Sequence, residues 1–558
     1  MPPMPISDYD YFMRRLGGMD KDRTTFVPHW MELSQKFQPR RGRFFVTDIN
    51  KGGKAHQMII NSKGTQALKI ARAGLHAGIM SPARPWFELG TPDPDLMEFQ
   101  PVKVWLVKVR AILDQIFRQS NLYNMAPTML AETLLFGTGC MLHQDDFEDV
   151  ARFYTQTIGS YFIAQDERLV VSTLARKYMM TPPQIIGAFG AGNASLQVNT
   201  AYDRGDYDTA FEVCHFVEPN PDFRENSPLS IHKRFRSCYF EPGNAGLDKG
   251  KFLERKGFDE FPAYCPRWET TGEDTYGTDC PGMVSLGDVN QLQIMEKRKA
   301  QGIDKHVNPP LHGPASLRNS PVSSLPGGLT TYDAGGEHGL RPVYEVRPDL
   351  QGLMLDIEKV EQRIDLAWYV DLFKPITNME GIQPHNELTL SSRNQEALLQ
   401  LGPTLEALHG QFLSPLIDRT FNQAIRAGIL PPAPPELEGM ALKVTYVSTL
   451  AQAMRQVAAG SLDRLSAYVG GLVQSGLHDG KKFDGDQAID EMANILGAPP
   501  RVVVPDEVVL AQRQQEQQMQ QMQQAMAMAQ AGANTAKGLA DAKTGEPSAL
   551  TTIAGAMP

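Results

Sequence analysis

The sequence predicts an α+β protein that ends in a disordered tail, and three observations predict it. A chain of 558 residues that is 42% hydrophobic and 21% charged can bury roughly three or four domain-sized cores. Apolar residues recur with a helical period of about 3.6 over most of the chain, but between residues 138 and 275 the period shifts toward about two, as in strands. Residues 511–530 hold ten glutamines, which is a low-complexity composition.

The N-terminal part alternates helices and loops. Residues 1–50 are mixed in pattern. Helices are expected at about 61–80, 102–118 and 125–137, where apolar side chains recur on one helical face. The first of them ends at Ser81-Pro82, because proline lacks the N–H that a helix needs.

The region from about 138 to 275 is predicted to be a β-rich insertion. Short runs such as Tyr161-Phe162-Ile163-Ala164 are bounded by Gly, Pro and Asp clusters, as strands are. One helix is expected inside the insertion, at roughly Leu169 to Arg176.

Two long helices separated by a Pro/Gly-rich excursion form the central feature. The first runs from about Ser285 to Val307 and stops at Asn308-Pro309-Pro310. The second runs from about Leu350 to Phe373 and is closed by Pro375. Each helix would reach on the order of 35 Å. The second helix carries one apolar stripe at alternating spacings of three and four, made of Leu350, Leu353, Ile357, Val360 and Ile364.

Such a pair of helices must bury its apolar stripes. A hairpin within one chain would bury them, and so would packing against copies of the chain in a ring. The pattern alone favours the hairpin, because a hairpin requires no partner.

The C-terminal part is helical before it becomes low in complexity. Residues 376–392 are polar and irregular, and helices are expected at about 393–401, 405–427 and 449–473. We expect a marginal helix at 511–530 and disorder over 531–558.

Charge and cysteine usage bound the function classes. A net charge of −10 and a pI near 5.7 argue against a protein that coats nucleic acid through a broad basic face. Five widely spaced cysteines without a C-x-x-C motif fit reduced thiols in a cytosol-like compartment. The first 18 residues lack the apolar region of a secretory signal, and no apolar run is long enough to span a membrane.

Motifs for catalysis are weak, and no cofactor is expected. Gly246-x-x-x-Gly250-Lys251 is one residue short of a phosphate-binding loop, and no G-x-S-x-G or H-E-x-x-H occurs. The acidic stretch from His143 to Asp149 could hold a divalent ion, but a solvated acidic turn is the favoured interpretation. Cys214, His215, His232 and Cys238 are zinc-ligand types without the paired short spacings of a zinc site. The sequence therefore indicates a protein that is not an enzyme.

Short motifs follow one another in a distinctive order over about residues 25–455. They are Trp30 with Pro39-Arg40-Arg41-Gly42-Arg43, Asn61-Ser62, Gly78-Ile79-Met80-Ser81-Pro82, Pro85-Trp86-Phe87, Glu132-Thr133-Leu134-Leu135-Phe136-Gly137-Thr138-Gly139, Tyr276-Gly277, Pro281-Gly282, Leu286, Asp288, Leu292, Pro309-Pro310, Pro326-Gly327-Gly328, Arg393 with Gln395-Glu396, Leu401-Gly402-Pro403, Leu413, Pro415, Arg419, Gly428-Ile429-Leu430-Pro431, Tyr446-Val447-Ser448 and Leu450-Ala451. In this order they resemble the head-to-tail connector, or portal, proteins of short-tailed bacteriophages.

The resemblance implies a portal fold and a homo-oligomeric ring of twelve subunits at one capsid vertex of the virion, assembled in the host cytoplasm. It implies no membrane. The apolar stripes would then be buried between subunits as well as within one. The implied parts are a wing (1–284), a first stem helix (285–307), a clip (308–348), a second stem helix (349–374), a channel loop (375–392), wing helices (393–450), a helical crown (451–510) and a Gln/Met-rich disordered tail (511–558).

The same resemblance implies partners. They are the major capsid and scaffold proteins, the packaging ATPase (the terminase large subunit), tail adaptor proteins, and double-stranded DNA that passes through without sequence-specific contacts. A duplex that must slide should not be held by many cations, since each phosphate contact adds salt-dependent affinity. We expect a few cations from Lys297, Arg298 and Lys299, and we place Glu380, His385, Asn386 and Glu387 on the channel loop. Ordinary surface charge and stem-to-stem pairing are the alternative.

One stretch departs from the family pattern. The family tends to have Thr-Ala-x-Glu before the helix at 393, whereas this chain has Leu388-Thr389-Leu390-Ser391-Ser392, so the shape of the loop is not fixed by the resemblance. Two other functions stay open. One is a divalent-metal-dependent nuclease that uses the carboxylates near Asp145. The other is a cytoplasmic oligomeric scaffold or adaptor that assembles through the Gln/Met tail.

Overall fold

We describe the fold from a computed structural model of the chain. It describes residues 8–46, 55–82, 86–91, 99–225, 227–243, 251–307, 350–373, 401–437 and 506–540, together with short pieces at 311–312, 341–342 and 443–446, several between 465 and 504, and single residues at 53, 93 and 96. The chain divides into two compact units, Met1–Met454 and Arg455–Pro558.

The first unit begins with five helices. They are α1 (Asp8–Thr24), α2 (Val27–Phe37), α3 (Lys63–Ile79), α4 (Gln100–Gln119) and α5 (Leu122–Phe136). The last three agree with the expected helices to within about three residues. The helix α5 ends at Gly137, whose φ of 78° gives the left-handed cap that glycine adopts without strain. All except α1 contribute to one large apolar core.

Helices α1 and α2, in the mixed stretch 1–50, were not predicted from the sequence. The signal in α1 was present, because Tyr9, Phe12, Leu16 and Met19 lie at spacings of three and four and all four are buried.

The strands of this unit form antiparallel sheets. Strand β2 (Cys140–Asp146) lies between β3 (Val150–Gln156) and the short β9 (Ala263–Tyr264). The larger sheet has the order β4-β5-β6-β7-β8, made of Tyr161–Gln165, Val171–Met180, Phe211–Pro219, Phe235–Phe240 and Phe252–Phe258. Strand β1 (Phe87–Gly90) pairs with β12 (Lys443–Tyr446), and β10 (Leu311–His312) with β11 (Arg341–Pro342).

The five-stranded sheet is covered on both faces. One face carries Phe162, Cys214 and Phe240, which pack against the apolar stripe of α1. The opposite face carries Val213 and Leu253, which pack against α6 (Pro182–Phe189) and α7 (Leu196–Asp203). Successive residues such as Val213 and Cys214 thus serve different cores, as strand geometry requires.

The helix expected at about Leu169 to Arg176 is wrong. This stretch falls largely within β5, where Leu174 pairs with Ile163 of β4 on one side and with Val217 of β6 on the other. The β-branched Val171 and Thr173 favour a strand, and pairing on both edges outweighs any local helical spacing. Among the described residues of the insertion, the α-helices are α6 and α7, and α6 begins at a capping box of Thr181 and Gln184.

Three helices follow the insertion. Helix α8 (Pro281–Val307) starts about four residues earlier than expected, and α9 (Leu350–Ala367) is separated from α10 (Val370–Phe373). The single helix expected over 349–374 is therefore interrupted. At the interruption Tyr369 has a φ of 52°, which a continuous right-handed helix cannot contain.

Residues 401–426 are helical, with a π-helical turn at His409–Leu413 and a regular final part, α11 (Ser414–Arg426). The second unit contains α12 (Asp506–Ala540), whose side chains are exposed from 511 to 530. The helix expected at 511–530 is thus present but longer. Disorder is wrong for 531–540, where four alanines, a lysine and a leucine favour a helix. Residues 541–558 lie outside the described residues. No helix in the described part of the chain is long and apolar enough to cross a membrane.

Candidate functional site

The helices α8 and α9 form an antiparallel pair within one chain. The stripe of α9 is buried at Ile357, Val360 and Ile364, in the same core as Val289 and Leu292 of α8. Leu353 is half-buried against that core, and the side chain of Leu350 lies outside the described residues. The stripe that the sequence predicts is therefore buried, from Leu353 onward, by packing inside the chain.

Polar contacts fix the pair at the end where α8 begins and α9 ends. The indole Nε1 of Trp368 donates to Ser285 Oγ at 2.9 Å, and both residues are fully buried. Arg363 of α9 forms an ion pair with Asp288 of α8 at 2.8 Å and donates to Gln291 Oε1 at 3.2 Å. These bonds fix the register of one helix against the other.

The chain just before α3 holds both helices through Gln293 and Asn61. The side-chain oxygen of Gln293 accepts from the backbone N–H groups of Ile60 at 2.7 Å and Asn61 at 2.9 Å, while its Nε2 donates to the carbonyl of Asn61 at 2.8 Å. The side-chain amide of Asn61 donates to Glu296 of α8 and to Glu361 of α9. A buried polar side chain that satisfies three backbone groups costs little to bury.

Lys63 completes this contact, which we call the 60–63 clamp (residues Ile60 to Lys63). Its Nζ lies 2.6 Å from Asp365 of α9. Asn61-Ser62 is one of the motifs of the sequence but had no predicted role, and neither Gln293 nor Asp365 was predicted to take part in a contact. The available signal was Gln293 itself, a polar residue on the otherwise apolar face of α8.

The outward faces of the pair carry exposed apolar and basic side chains. Leu355 and Leu366 are 59% and 78% exposed on the side of α9 opposite its stripe, and Ile294 of α8 is 51% exposed. Lys297 and Arg298 are exposed, and within the part of the chain that the structure describes neither has an ion-pair partner. Lys299 is paired with Glu296 at 2.6 Å, so it differs from Lys297 and Arg298 in having an ion-pair partner.

The expected channel loop lies outside the described part of the chain. Glu380, His385, Asn386 and Glu387 lie outside the described residues, as does most of the expected clip.

The start of α8 meets the end of α5 at a close backbone contact. Gly277 donates its N–H to Thr138 Oγ1 at 2.8 Å, and a Cβ on Gly277 would overlap the carbonyl oxygen of Gly137. A Cβ on Gly282 would overlap the carbonyl oxygen of Leu135 in the same way. Glycine is required here because two backbones approach without room for a side chain. Two motifs that are far apart in sequence, at 132–139 and 276–282, thus form one seam.

A carboxylate is buried next to this seam. Glu132 is 2% exposed and accepts hydrogen bonds from Thr157 Oγ1 at 2.8 Å and from the N–H of Ile158 at 3.0 Å. Arg41 lies 3.6 Å away. Burial raises the pKa of the Glu132 carboxyl, although Arg41 and the two hydrogen bonds act in the opposite direction.

The acidic stretch from His143 to Asp149 takes part in packing and ion pairs. His143 is fully buried, with Nδ1 2.5 Å from the hydroxyl of Tyr264, and burial lowers its pKa well below the usual value. Asp145 lies 3.4 Å from Arg419 and Asp146 3.8 Å from Arg152.

Cysteine and histidine side chains of the larger sheet are engaged in its packing. His215 stacks on Tyr239 with ring centroids 3.9 Å apart, and its Nε2 lies 2.9 Å from Ser237 Oγ. Cys214 and Cys238 are buried free thiols. Among the described residues, no group of three or more His, Cys, Asp or Glu side chains could hold a metal ion.

Comparison with known proteins decides the family. The model of the "bacteriophage head to tail connecting protein" family matches residues 10–504, which is most of the chain. The chain belongs to this family. Its function is that of a bacteriophage head-to-tail connector, or portal protein, as the resemblance predicted.

Two relatives of this connector carry the portal name. The portal protein of Salmonella phage epsilon15 is 41% identical over 554 residues, which cover 99% of each chain. The probable portal protein of Bordetella phage BPP-1 is 40% identical over 543 residues, which cover 97% of each chain. Among solved structures, the neck of an empty GTA particle aligns at 12% identity with a TM-score of 0.33, over 79% of this chain and 91% of that chain, a likeness too low to carry an argument.

Proposed function

We propose that this connector assembles into a closed ring of about twelve copies at one vertex of the capsid and conducts double-stranded DNA during packaging and ejection. The observation that carries the proposal is the helix pair α8–α9. It buries one stripe inside the chain and leaves Leu355 and Leu366 exposed on the other side of α9. An exposed apolar face on a helix pair whose register is fixed within the chain is suited to contact with a neighbouring copy.

In this proposal α8 and α9 are the stem, residues 308–348 the clip, and residues 375–392 the channel loop. The wing comprises 1–284 and 393–450, and 451–510 form the crown. The packaging ATPase and later the tail adaptors bind at the clip, while capsid and scaffold proteins contact the wing. The connector itself has no catalytic role, so the energy for packaging comes from the ATPase.

The charge of the chain supports a channel that DNA crosses without being held. Twelve copies at −10 each total roughly −120, which repels phosphate on average. Lys297 and Arg298 are exposed cations without ion-pair partners among the described residues. We propose that these two, rather than the paired Lys299, are the cations that face the duplex.

Native mass spectrometry of the purified chain, with negative-stain images, tests the ring. We expect a closed ring near twelve copies with a central hole. The double variant Leu355→Glu and Leu366→Glu should remain folded, because both side chains are exposed, and should no longer form rings. Leu196→Glu, at a residue of α7 that is 69% exposed, is the matched control and should assemble normally. Rings in the double variant would rule out this face as the contact.

Packaging assays test the cations. Lys297→Gln with Arg298→Gln should leave the ring intact and change DNA packaging or retention. The matched control is Lys299→Gln, which removes a paired cation one residue further along the helix. Unchanged packaging and retention in the double variant would show that these side chains are ordinary surface charge.

A further inference from the structure

Two of the five cysteines lie opposite each other on neighbouring strands. Thr138 is bridged to Arg267, and Met141 pairs with Tyr264 in the antiparallel contact of β2 with β9. The same register, continued between these two pairs, places Cys140 directly across from Cys265. Both thiols are free and buried, at 0% and 4% exposure.

The hydrogen bonds around the two cysteines show which kind of pair they form. Gly139 donates its N–H to the carbonyl of Pro266 at 2.9 Å, and His143 donates to that of Pro262 at 2.8 Å. Hydrogen-bonded and non-hydrogen-bonded pairs alternate along antiparallel strands, so Cys140 and Cys265 form a non-hydrogen-bonded pair. Such pairs have Cα atoms about 4.5 Å apart, within the range of about 4.4–6.8 Å that a disulfide spans.

The other cysteines differ in placement. Cys214 is opposite Phe240, and Cys238 is opposite Phe216, so these two thiols share one sheet face but are offset diagonally by two residues. Cys280 is separate, with its Sγ 3.3 Å from the carbonyl of Leu135. Burial raises the pKa of the Cys140 thiol well above its usual value, and the neighbouring Cys265 raises it further, which keeps the Cys140 thiol slow to react while the seam is closed.

We propose that Cys140 and Cys265 are a redox-dependent modification site, at which a cross-strand disulfide forms when the protein meets a small-molecule disulfide outside a reducing cytosol. The thiolate of one cysteine attacks the small disulfide and releases one small thiol. The second cysteine then displaces the other small thiol, so one protein S–S bond forms and two small thiols leave. The small disulfide is the species that is reduced.

The position of this bond gives it a consequence. Cys140 follows the seam residues Gly137 and Thr138, and Cys265 precedes Trp268, whose N–H donates to the carbonyl of Gly137 at 2.8 Å. The disulfide would therefore fasten the seam from which α8 begins. A reducing cytosol keeps the thiols free during assembly, and an oxidising exterior favours the bond once a particle has left the cell.

Oxidised glutathione and the full chain test the inference. The chain is incubated with an excess of oxidised glutathione at mildly alkaline pH, and a parallel sample receives diamide. We expect a mass lower by two hydrogen atoms without a glutathione adduct, a Cys140–Cys265 crosslinked peptide, no crosslinked dimers, and a Tm higher by about 5 °C. Dithiothreitol should reverse all of these changes.

Matched variants separate this pair from the other cysteines. Cys265→Ala should lose the crosslink and the rise in Tm, whereas Cys238→Ala, which removes a thiol of the offset pair, should retain both. The inference is overturned if neither oxidant produces the peptide, if other cysteines crosslink instead, or if the crosslinked chain has an unchanged or lower Tm. None of these results depends on ring formation, so the proposed function could fail without affecting them.

Discussion

Leu169 occupies a backbone conformation that L side chains seldom adopt. Its φ is 61°, at a turn where its N–H donates to Asp166 at 3.1 Å and its carbonyl accepts from Arg267 Nη2 at 2.6 Å. The left-handed region costs a non-glycine residue roughly 1–2 kcal/mol. The bonds on both sides of the residue hold it there.

Comparing Leu169→Gly with Leu169→Ala isolates this strain. Alanine keeps the Cβ that makes the conformation unfavourable, and glycine removes it. We expect the glycine variant to have a free energy of unfolding about 1 kcal/mol higher than the alanine variant, measured by urea denaturation. The usual order, with alanine more stable, would show that the turn is not strained.

Glu132 should make stability depend on pH. A carboxyl whose pKa is raised in the folded protein binds its proton more tightly there than in the unfolded chain. Its contribution to the free energy of unfolding is therefore full at low pH and is lost as pH rises from 4.5 through the raised pKa. Urea denaturation across this interval should show a smaller loss for Glu132→Gln than for the wild type.

The control for Glu132 is Glu148→Gln, which changes an exposed carboxyl on the turn between β2 and β3. Its stability should follow the wild-type pH profile. Parallel profiles for the wild type and Glu132→Gln would contradict the role of the buried carboxyl.

Single residues differ in how far the sequence predicts them. Trp86, Trp105 and Trp268 are 1%, 8% and 8% exposed, as expected of large apolar side chains. Glu132 was noted only as part of a motif, since its burial depends on Thr157 and Ile158, which no local pattern connects to it. Tertiary hydrogen bonds of this kind leave no period in the sequence.

At the scale of elements, the seam between α5 and α8 gives a sharp comparison. Gly282→Ala should be strongly destabilising, because its Cβ would overlap the carbonyl oxygen of Leu135. Gly287→Ala in the same helix has open space around its Cβ and should raise the free energy of unfolding by about 0.5–1 kcal/mol. Thermal denaturation of both variants measures the difference. Equal effects would show that the two backbones do not approach closely.

The helices with one clear apolar face were predictable, including α3, α4 and α8. The interruption at Tyr369 was not, because the apolar period continues through Trp368 and Val370. What ends α9 is the buried position of Trp368, which packs against Phe37 with ring centroids 5.5 Å apart and donates to Ser285. Strand β5 was mistaken for a helix for a related reason. Its pairing with β4 and β6 decides its structure, and that pairing cannot be seen in the residues of β5 alone.

At the scale of the whole molecule, removal of residues 506–558 distinguishes a connector from an adaptor that assembles through its tail. The two compact units divide near residue 454, and the side chains of α12 from 511 to 530 are exposed. We expect the truncated chain to form the same ring, as counted by native mass spectrometry. Monomers after truncation, with rings in the full chain, would favour assembly through the tail.

The sequence could not by itself distinguish a closed hairpin from a ring of copies. The structure shows that both uses of the helix pair are compatible, since one stripe is buried inside the chain while the opposite side stays apolar in part. An apolar stripe has the same helical period whether it is buried inside the chain or against another copy, so the sequence leaves both uses open.

The exposure of α8 and α9 changes along their length. From residue 296 onward no residue of α8 is buried, and none is buried in α9 from 351 to 356. The pair is thus held at one end, by Trp368 and by residues 60–63, whereas the eleven residues of α8 beyond the clamp, 297–307, include no buried residue and extend about 17 Å. A helix pair held at one end is displaced most easily at the other end. Contacts along its side would therefore stiffen it far more than any further contact near the held end.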